Sequence, residues 1–267
     1  MNRPAYLEEI SALWRRGDLD EMVIACREKI EQVSNTPNTT PSEIATLHQC
    51  LARAYSDLGD YFADIRELER ALPLHRAESA VPRDEIIACL GNLGLAFLWT
   101  GRPAEAEERL FEALVLLDHM PEPEQFGRGF VLQNLALIHS REQELKVAET
   151  LQLQAINLHM RYFGPGSPDL AYAIGNLACV YEKQARTTAA DHAMDKATSF
   201  VRLANETNDV RFAIMLSSRG LQLKTRGRVE EARDCQSEAL SILQRFRKPG
   251  HFLLERVQRR LATVTDT

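Results

Sequence analysis

Apolar residues recur along this chain at helical spacing, and the helical segments themselves recur every 42 residues. Gly17, Gly59 and Gly101 mark the interval, and Gly227 falls three intervals later, with Gln143 and Ala185 at the two positions between. Seven residues before each turn stand Ile10, Ala52, Gly94, Ala136, Ala178 and Gly220, small in five of six. Four before it stand Leu13, Tyr55, Phe97, His139, Tyr181 and Leu223, large in every copy. Five after it come Met22, Asp64, Ala106, Ala148, Ala190 and Ala232; twelve after it, Lys29, Ala71, Ala113, Ala155, Ala197 and Ala239. Small residues set against large ones at constant offsets let neighbouring helices approach closely. Each unit therefore predicts a helix of roughly 17–20 residues, a tight turn, a second helix of similar length and a short connection.

Proline placement sharpens the boundaries. Pro41, Pro82 and Pro168 sit where first helices should begin, and Pro103 where a second helix should. Pro121 and Pro123 mark the connection into the fourth unit, and Pro73 falls where it should kink or shorten a second helix. After the sixth unit, Leu254, Val257, Leu261 and Val264 form an amphipathic stripe, which predicts a thirteenth helix capping the stack.

Asn92-Leu93-Gly94-Leu95-Ala96-Phe97, followed by Gly101, Ala106 and Ala113, resembles a tetratricopeptide repeat. The 42-residue unit, and the run from Gly164-Pro165-Gly166 into Asn176-Leu177-Ala178-Cys179-Val180-Tyr181, resemble kinesin light chains and their bacterial relatives. The resemblance covers about residues 4–247. Departures are Glu9 and Lys29 in the first repeat, Arg219 at a leucine position in the sixth, and the missing turn glycine in the fifth. It implies an all-α, right-handed α-solenoid of six helix pairs plus a C-terminal capping helix, in one domain spanning residues 1–267. The expected repeats are 1–36, 41–79, 82–120, 124–163, 167–206 and 208–247, with the cap at 251–264.

Composition fits helices packed through small residues: 45% hydrophobic but only 7% aromatic. No stretch approaches the 18 uncharged apolar residues of a membrane span, and Met1 to Ile10 lacks the apolar core of a signal peptide. Cys26, Cys50, Cys89, Cys179 and Cys235 are scattered and odd in number, which reads as helix-packing thiols in a reducing, cytoplasmic setting. The histidines lack ligand spacing, and His48 and His139 take core-facing offsets, so neither metal nor cofactor is expected. A net charge of −6 argues against nucleic acid. The basic run from Arg245 to Arg260, with Arg247, Lys248, Arg256 and Arg259, reads as solvent-face cations rather than a binding patch.

Candidate chemistry lies on the side of each first helix opposite the core positions. Nine residues before the turn stand Cys50, Asn92, Asn134, Asn176 and Ser218. Thirteen before are Thr46, Ala88, Phe130, Tyr172 and Ile214; six before, Arg53, Leu95, Leu137, Cys179 and Leu221; two before, Asp57, Trp99, Arg141, Lys183 and Thr225. A second apolar face interrupted by amides and cations has the character of a recognition groove. The family resemblance implies that this side lines a concave groove, where an asparagine ladder hydrogen-bonds the backbone of an extended peptide. An amide both donates and accepts, which suits that role. The expected ligand-binding residues are thus Asn92, Asn134, Asn176, Arg53, Leu95, Trp99, Phe130, Leu137, Arg141, Tyr172 and Lys183. The same residues also fit a packing role, with the asparagines bonding neighbouring helices.

The expected function is a non-enzymatic adaptor or scaffold for a peptide or protein segment of acidic or apolar character, with no membrane or nucleic-acid partner. A peptide-sensing regulator is the alternative, followed by a small-molecule binder or enzyme using the groove as a pocket. No nucleophile–base pair, metal set or phosphate loop points to catalysis, and neither the partner nor the oligomeric state is legible.

Overall fold

Six turns of one design set the architecture. Gly17, Gly59, Gly101 and Gly227 all have positive φ, between 74° and 84°, and so do Gln143 at 67° and Ala185 at 59°. In each turn the next residue's N–H reaches back to the large residue's carbonyl: Asp18 to Leu13, Asp60 to Tyr55, Arg102 to Phe97, Glu144 to His139, Arg186 to Tyr181 and Arg228 to Leu223, all at 2.9–3.0 Å. This is the Schellman closure of a helix. The missing glycines at 143 and 185 therefore changed the residue and not the turn.

The structure, a computed structural model, describes residues 4–37, 39–77, 82–204, 210–247 and 249–265. These residues form an all-α repeat fold of thirteen α-helices, with no strand among them. Residues 79, 206 and 208, where repeats were expected to end or begin, lie outside the described residues, as do Met1 and Lys248. The chain divides into two units, Met1–Gly127 and Arg128–Thr267. The first holds α1 (Ala5–Arg16), α2 (Leu19–Ser34), α3 (Pro41–Leu58), α4 (Tyr61–Ala77), α5 (Arg83–Trp99), α6 (Pro103–Asp118) and a short 3-10 segment, Glu122–Gly127. The second holds α7 (Arg128–Arg141), α8 (Leu145–Phe163), α9 (Pro168–Lys183), α10 (Thr187–Leu203), α11 (Val210–Thr225), α12 (Val229–Phe246) and α13 (Phe252–Thr265).

Within each unit, helices pack on their neighbours in sequence, and in the second unit α9 also meets α7 and α11, and α11 meets α13. The small positions are the contact points. Ala71, Ala113, Ala155, Ala197 and Ala239 are completely buried. At Gly94 a Cβ would lie 2.8 Å from Leu110 Cγ, and at Gly220 it would lie 2.6 Å from Gln236 Nε2. His48 is buried with Nδ1 2.7 Å from Glu67 Oε2, and half-buried His139 makes the same contact with Glu144. Both are satisfied packing histidines. All five cysteines are free, and burial pushes the Cys26 and Cys89 thiols up to about 12.

Several elements depart from expectation. Pro73 does not end α4, which runs on to Ala77; Pro73 and Glu69 are both exposed, so the carbonyl that loses its partner faces water. Pro82 precedes α5 as its N-cap instead of entering its first turn. The α7 helix is only 14 residues long, because residues 122–127 take the 3-10 form. Arg247 is no solvent-face cation: it is buried and donates from Nη1 to the Phe246 carbonyl at 2.9 Å. Arg219 is buried as the leucine it replaces would be, and it is satisfied by Asp191 and Asp195 of α10.

Candidate functional site

In the second unit, the stripe opposite the core on α7, α9 and α11 opens into a cavity of about 330 Å³. Phe130 and Gln133 of α7 form one side. The α9 helix supplies Tyr172, Gly175, Asn176 and Cys179, with Asp169 at its start. Met194 of α10 and Arg211, Ile214, Met215 and Ser218 of α11 complete it. The start of α9 is firmly set: Pro168 is its first residue, and the Ser167 hydroxyl accepts from the Leu170 N–H at 3.2 Å. Gly175 leaves room on the wall, since a Cβ there would stand 3.2 Å from Met215 Cε.

The polar groups are arranged at the rim. Arg211 Nη1 lies 3.1 Å from Asp169 Oδ1, and its guanidinium sits 4.4 Å from the Tyr172 ring centroid. Asn176 Nδ2 donates to Gln133 Oε1 at 3.1 Å. Gln133 Nε2 donates in turn to Nε2 of His159, a fully buried residue of α8. Burial raises the Cys179 thiol above its ordinary value, which keeps it protonated and a poor nucleophile at neutral pH.

Of the expected binding residues, the cavity brings together Phe130, Tyr172 and Asn176, along with the stripe positions Cys179, Ile214 and Ser218. Asn134 and Leu137 are half-buried on α7 outside the cavity lining, and Arg141 is exposed at its last residue. Lys183 is tethered to the end of α7, its Nζ donating to the Ser140 carbonyl at 2.7 Å and to Ser140 Oγ at 3.0 Å. Burial lowers its pKa, and Arg141 adds to the effect. Among the described residues, His139, Glu142 and Glu144 come together at the C-terminal end of α7 and the turn after it, where Glu144 already holds the imidazole.

The first unit carries Arg53, Asn92, Leu95 and Trp99. The Arg53 guanidinium lies 3.7 Å from the Trp14 ring centroid, while Trp14 Nε1 donates to Asp57 Oδ2 at 2.6 Å. Trp99 stacks on Tyr61, with centroids 5.9 Å apart. Asn92 is exposed and Leu95 half-buried on α5.

The polar residues that sequence reading missed are Gln133, Asp169, Arg211 and His159. Asp169 and Arg211 do leave a trace: both stand 16 positions before the turn position, one repeat apart. Gln133 adjoins the asparagine register, and His159 belongs to a second helix that the stripe does not include.

The profile of the tetratricopeptide repeat matches residues 130–202, within the second unit. Those residues match tetratricopeptide repeats. Among solved structures, BtubC (BKLC) from P. vanneervenii is similar over 93% of both chains, at 17% identity and a TM-score of 0.65. A kinesin light chain with nearly identical TPR-like repeats from Podosopora anserina aligns with 76% of this chain and 95% of its own, at 16% identity and a TM-score of 0.59. A Rap protein complexed with Competence and Sporulation Factor aligns with 98% of this chain and 74% of its own, at 13% identity and a TM-score of 0.69. At these identities the likeness is one of fold. No curated protein matches the chain in sequence. No described helix is long and apolar enough to cross a membrane.

Proposed function

We propose that this protein binds an extended peptide or protein segment on the first-helix face of its second unit, as an adaptor or a peptide sensor. The observation that carries the reading is the α7–α9–α11 cavity, where an apolar floor of Met194, Ile214 and Met215 meets an exposed amide, Asn176, and a cation, Arg211. Binding sites combine such surfaces: apolar area for affinity and a few placed polar groups for orientation. A cavity of about 330 Å³ is at the small end for a ligand site, which suits one bulky apolar side chain of a longer segment. Arg211 at the rim and Arg141 beside Lys183 favour an acidic neighbour on that segment. The Rap protein of similar fold was solved with a Competence and Sporulation Factor bound, and a related Rap regulator with a Phr* peptide. The second supports a peptide as the ligand class. A protonated Cys179 supports binding over covalent chemistry.

The test is selection of binders from a random peptide display library against the full chain, followed by fluorescence anisotropy. Ile214→Asp puts a charge on the apolar wall and should abolish binding of the selected peptides while leaving the melting temperature within a few degrees. Unchanged affinity in this variant would place the site elsewhere.

A further inference from the structure

Asn176 is one end of a directional chain. Its Nδ2 is committed to Gln133 Oε1 at 3.1 Å, and Gln133 Nε2 is committed to His159 Nε2. The three side chains come from α9, α7 and α8, so the direction of each bond depends on the next: a side-chain amide donates at one end and accepts at the other. His159 anchors the chain. Its ring is fully buried and fits against Gly129, where a Cβ would lie 3.0 Å from both Cε1 and Nε2. Phe130 meets the ring edge-to-face at 4.7 Å and Phe163 stacks on it at 5.6 Å. Among the described residues its Nδ1 has no hydrogen-bond partner. Burial lowers its pKa, outweighing the charge of Asp169, so the ring is neutral. With Nε2 accepting, the proton sits on Nδ1.

We infer that Gln133 and His159 are positioning residues that fix which way the Asn176 amide is turned: one Nδ2 hydrogen is held by Gln133, and Oδ1 is presented as an acceptor for a backbone N–H of the bound segment. An asparagine free to turn its amide would accept either polarity and could not set the register of an extended chain. The inference rests on the peptide-binding reading, but its first test needs no peptide.

In ¹⁵N-labelled full-length protein, His159 should show an unprotonated Nε2 and a protonated Nδ1. The opposite tautomer would overturn the proposed direction. In Gln133→Glu the carboxylate can only accept, so the proton should move to Nε2 and the His159 pKa should rise; an unchanged tautomer would show that Gln133 does not orient the ring. The second test uses a fluorescein-labelled peptide selected against the wild-type chain, with each backbone amide replaced in turn by an ester. One replacement should weaken binding about 2- to 13-fold, and that loss should vanish in Asn176→Ala and shrink in Gln133→Met. If Ile214→Asp abolishes binding but no ester position couples to Asn176, the orientation inference fails while the groove stands. If Ile214→Asp has no effect, the groove reading fails, and the tautomer measurement still decides the relay.

Discussion

Asp64 offers a sharp test of the packing account. It occupies the position five after the turn where Ala106, Ala148, Ala190 and Ala232 are fully buried, and it is itself 4% exposed. Burial pushes its carboxyl up from 3.8 to about 7, a hydrogen bond with Ser56 pulls the other way, and Asp57 and Asp60 add to the rise. The folded state therefore holds this proton more tightly than the unfolded chain, and stability from this group falls as pH rises through the folded pKa. At about 1.4 kcal/mol per tenfold change in proton affinity, the full effect is on the order of 4 kcal/mol. About 2.5 kcal/mol of it falls between pH 5 and pH 8. Asp64→Asn removes the titration while keeping the side chain's size. Both tryptophans, Trp14 and Trp99, lie in the first unit, so urea unfolding followed by tryptophan fluorescence reports on the unit that contains Asp64. Asp64→Asn should gain on wild type by about 2.5 kcal/mol on going from pH 5 to pH 8. Parallel pH profiles for the two proteins would refute the reasoning.

Three further outcomes are expected. Ala185→Gly should stabilise the second unit by about 0.5–1 kcal/mol, because relief of left-handed strain, about 1–2 kcal/mol, exceeds the entropy cost of glycine, about 0.5–1 kcal/mol; a loss in urea unfolding would contradict the turn assignment. Ala113→Leu or Ala155→Leu should destabilise by roughly 1–3 kcal/mol through overpacking, and an unchanged melting temperature would show the second-helix register to be wrong. Deleting residues 251–264 uncovers the faces of α11 and α12 that α13 packs against and should cause aggregation; a stable monomer by size-exclusion chromatography would make that helix dispensable.

Most of the fold was legible because the period runs through six turns without an insertion, so each offset could be checked against five others. Gln143 and Ala185 were legible only through that period, since neither residue signals a left-handed turn by itself. The continuation of α4 past Pro73 was not legible, because the helix tolerates proline when the orphaned carbonyl is solvated, a property of burial rather than of sequence. At the site, the period gave the stripe, and Phe130, Tyr172 and Asn176 do come together in one cavity. It did not give Gln133 or His159, because their contact depends on a gap at Gly129 that only the packed helices reveal.

The central claim is that Asn176 serves a ligand rather than the fold. Affinity and melting temperature should be measured together for Asn176→Ala, using a peptide selected against the wild-type chain. An amide–backbone hydrogen bond contributes about 0.5–1.5 kcal/mol net, so losing it should weaken binding about 2- to 13-fold. Asn176 is exposed even while it donates to Gln133, so stability should change little. A loss of several kcal/mol in stability with affinity per folded molecule preserved would contradict the account and make Asn176 a packing device.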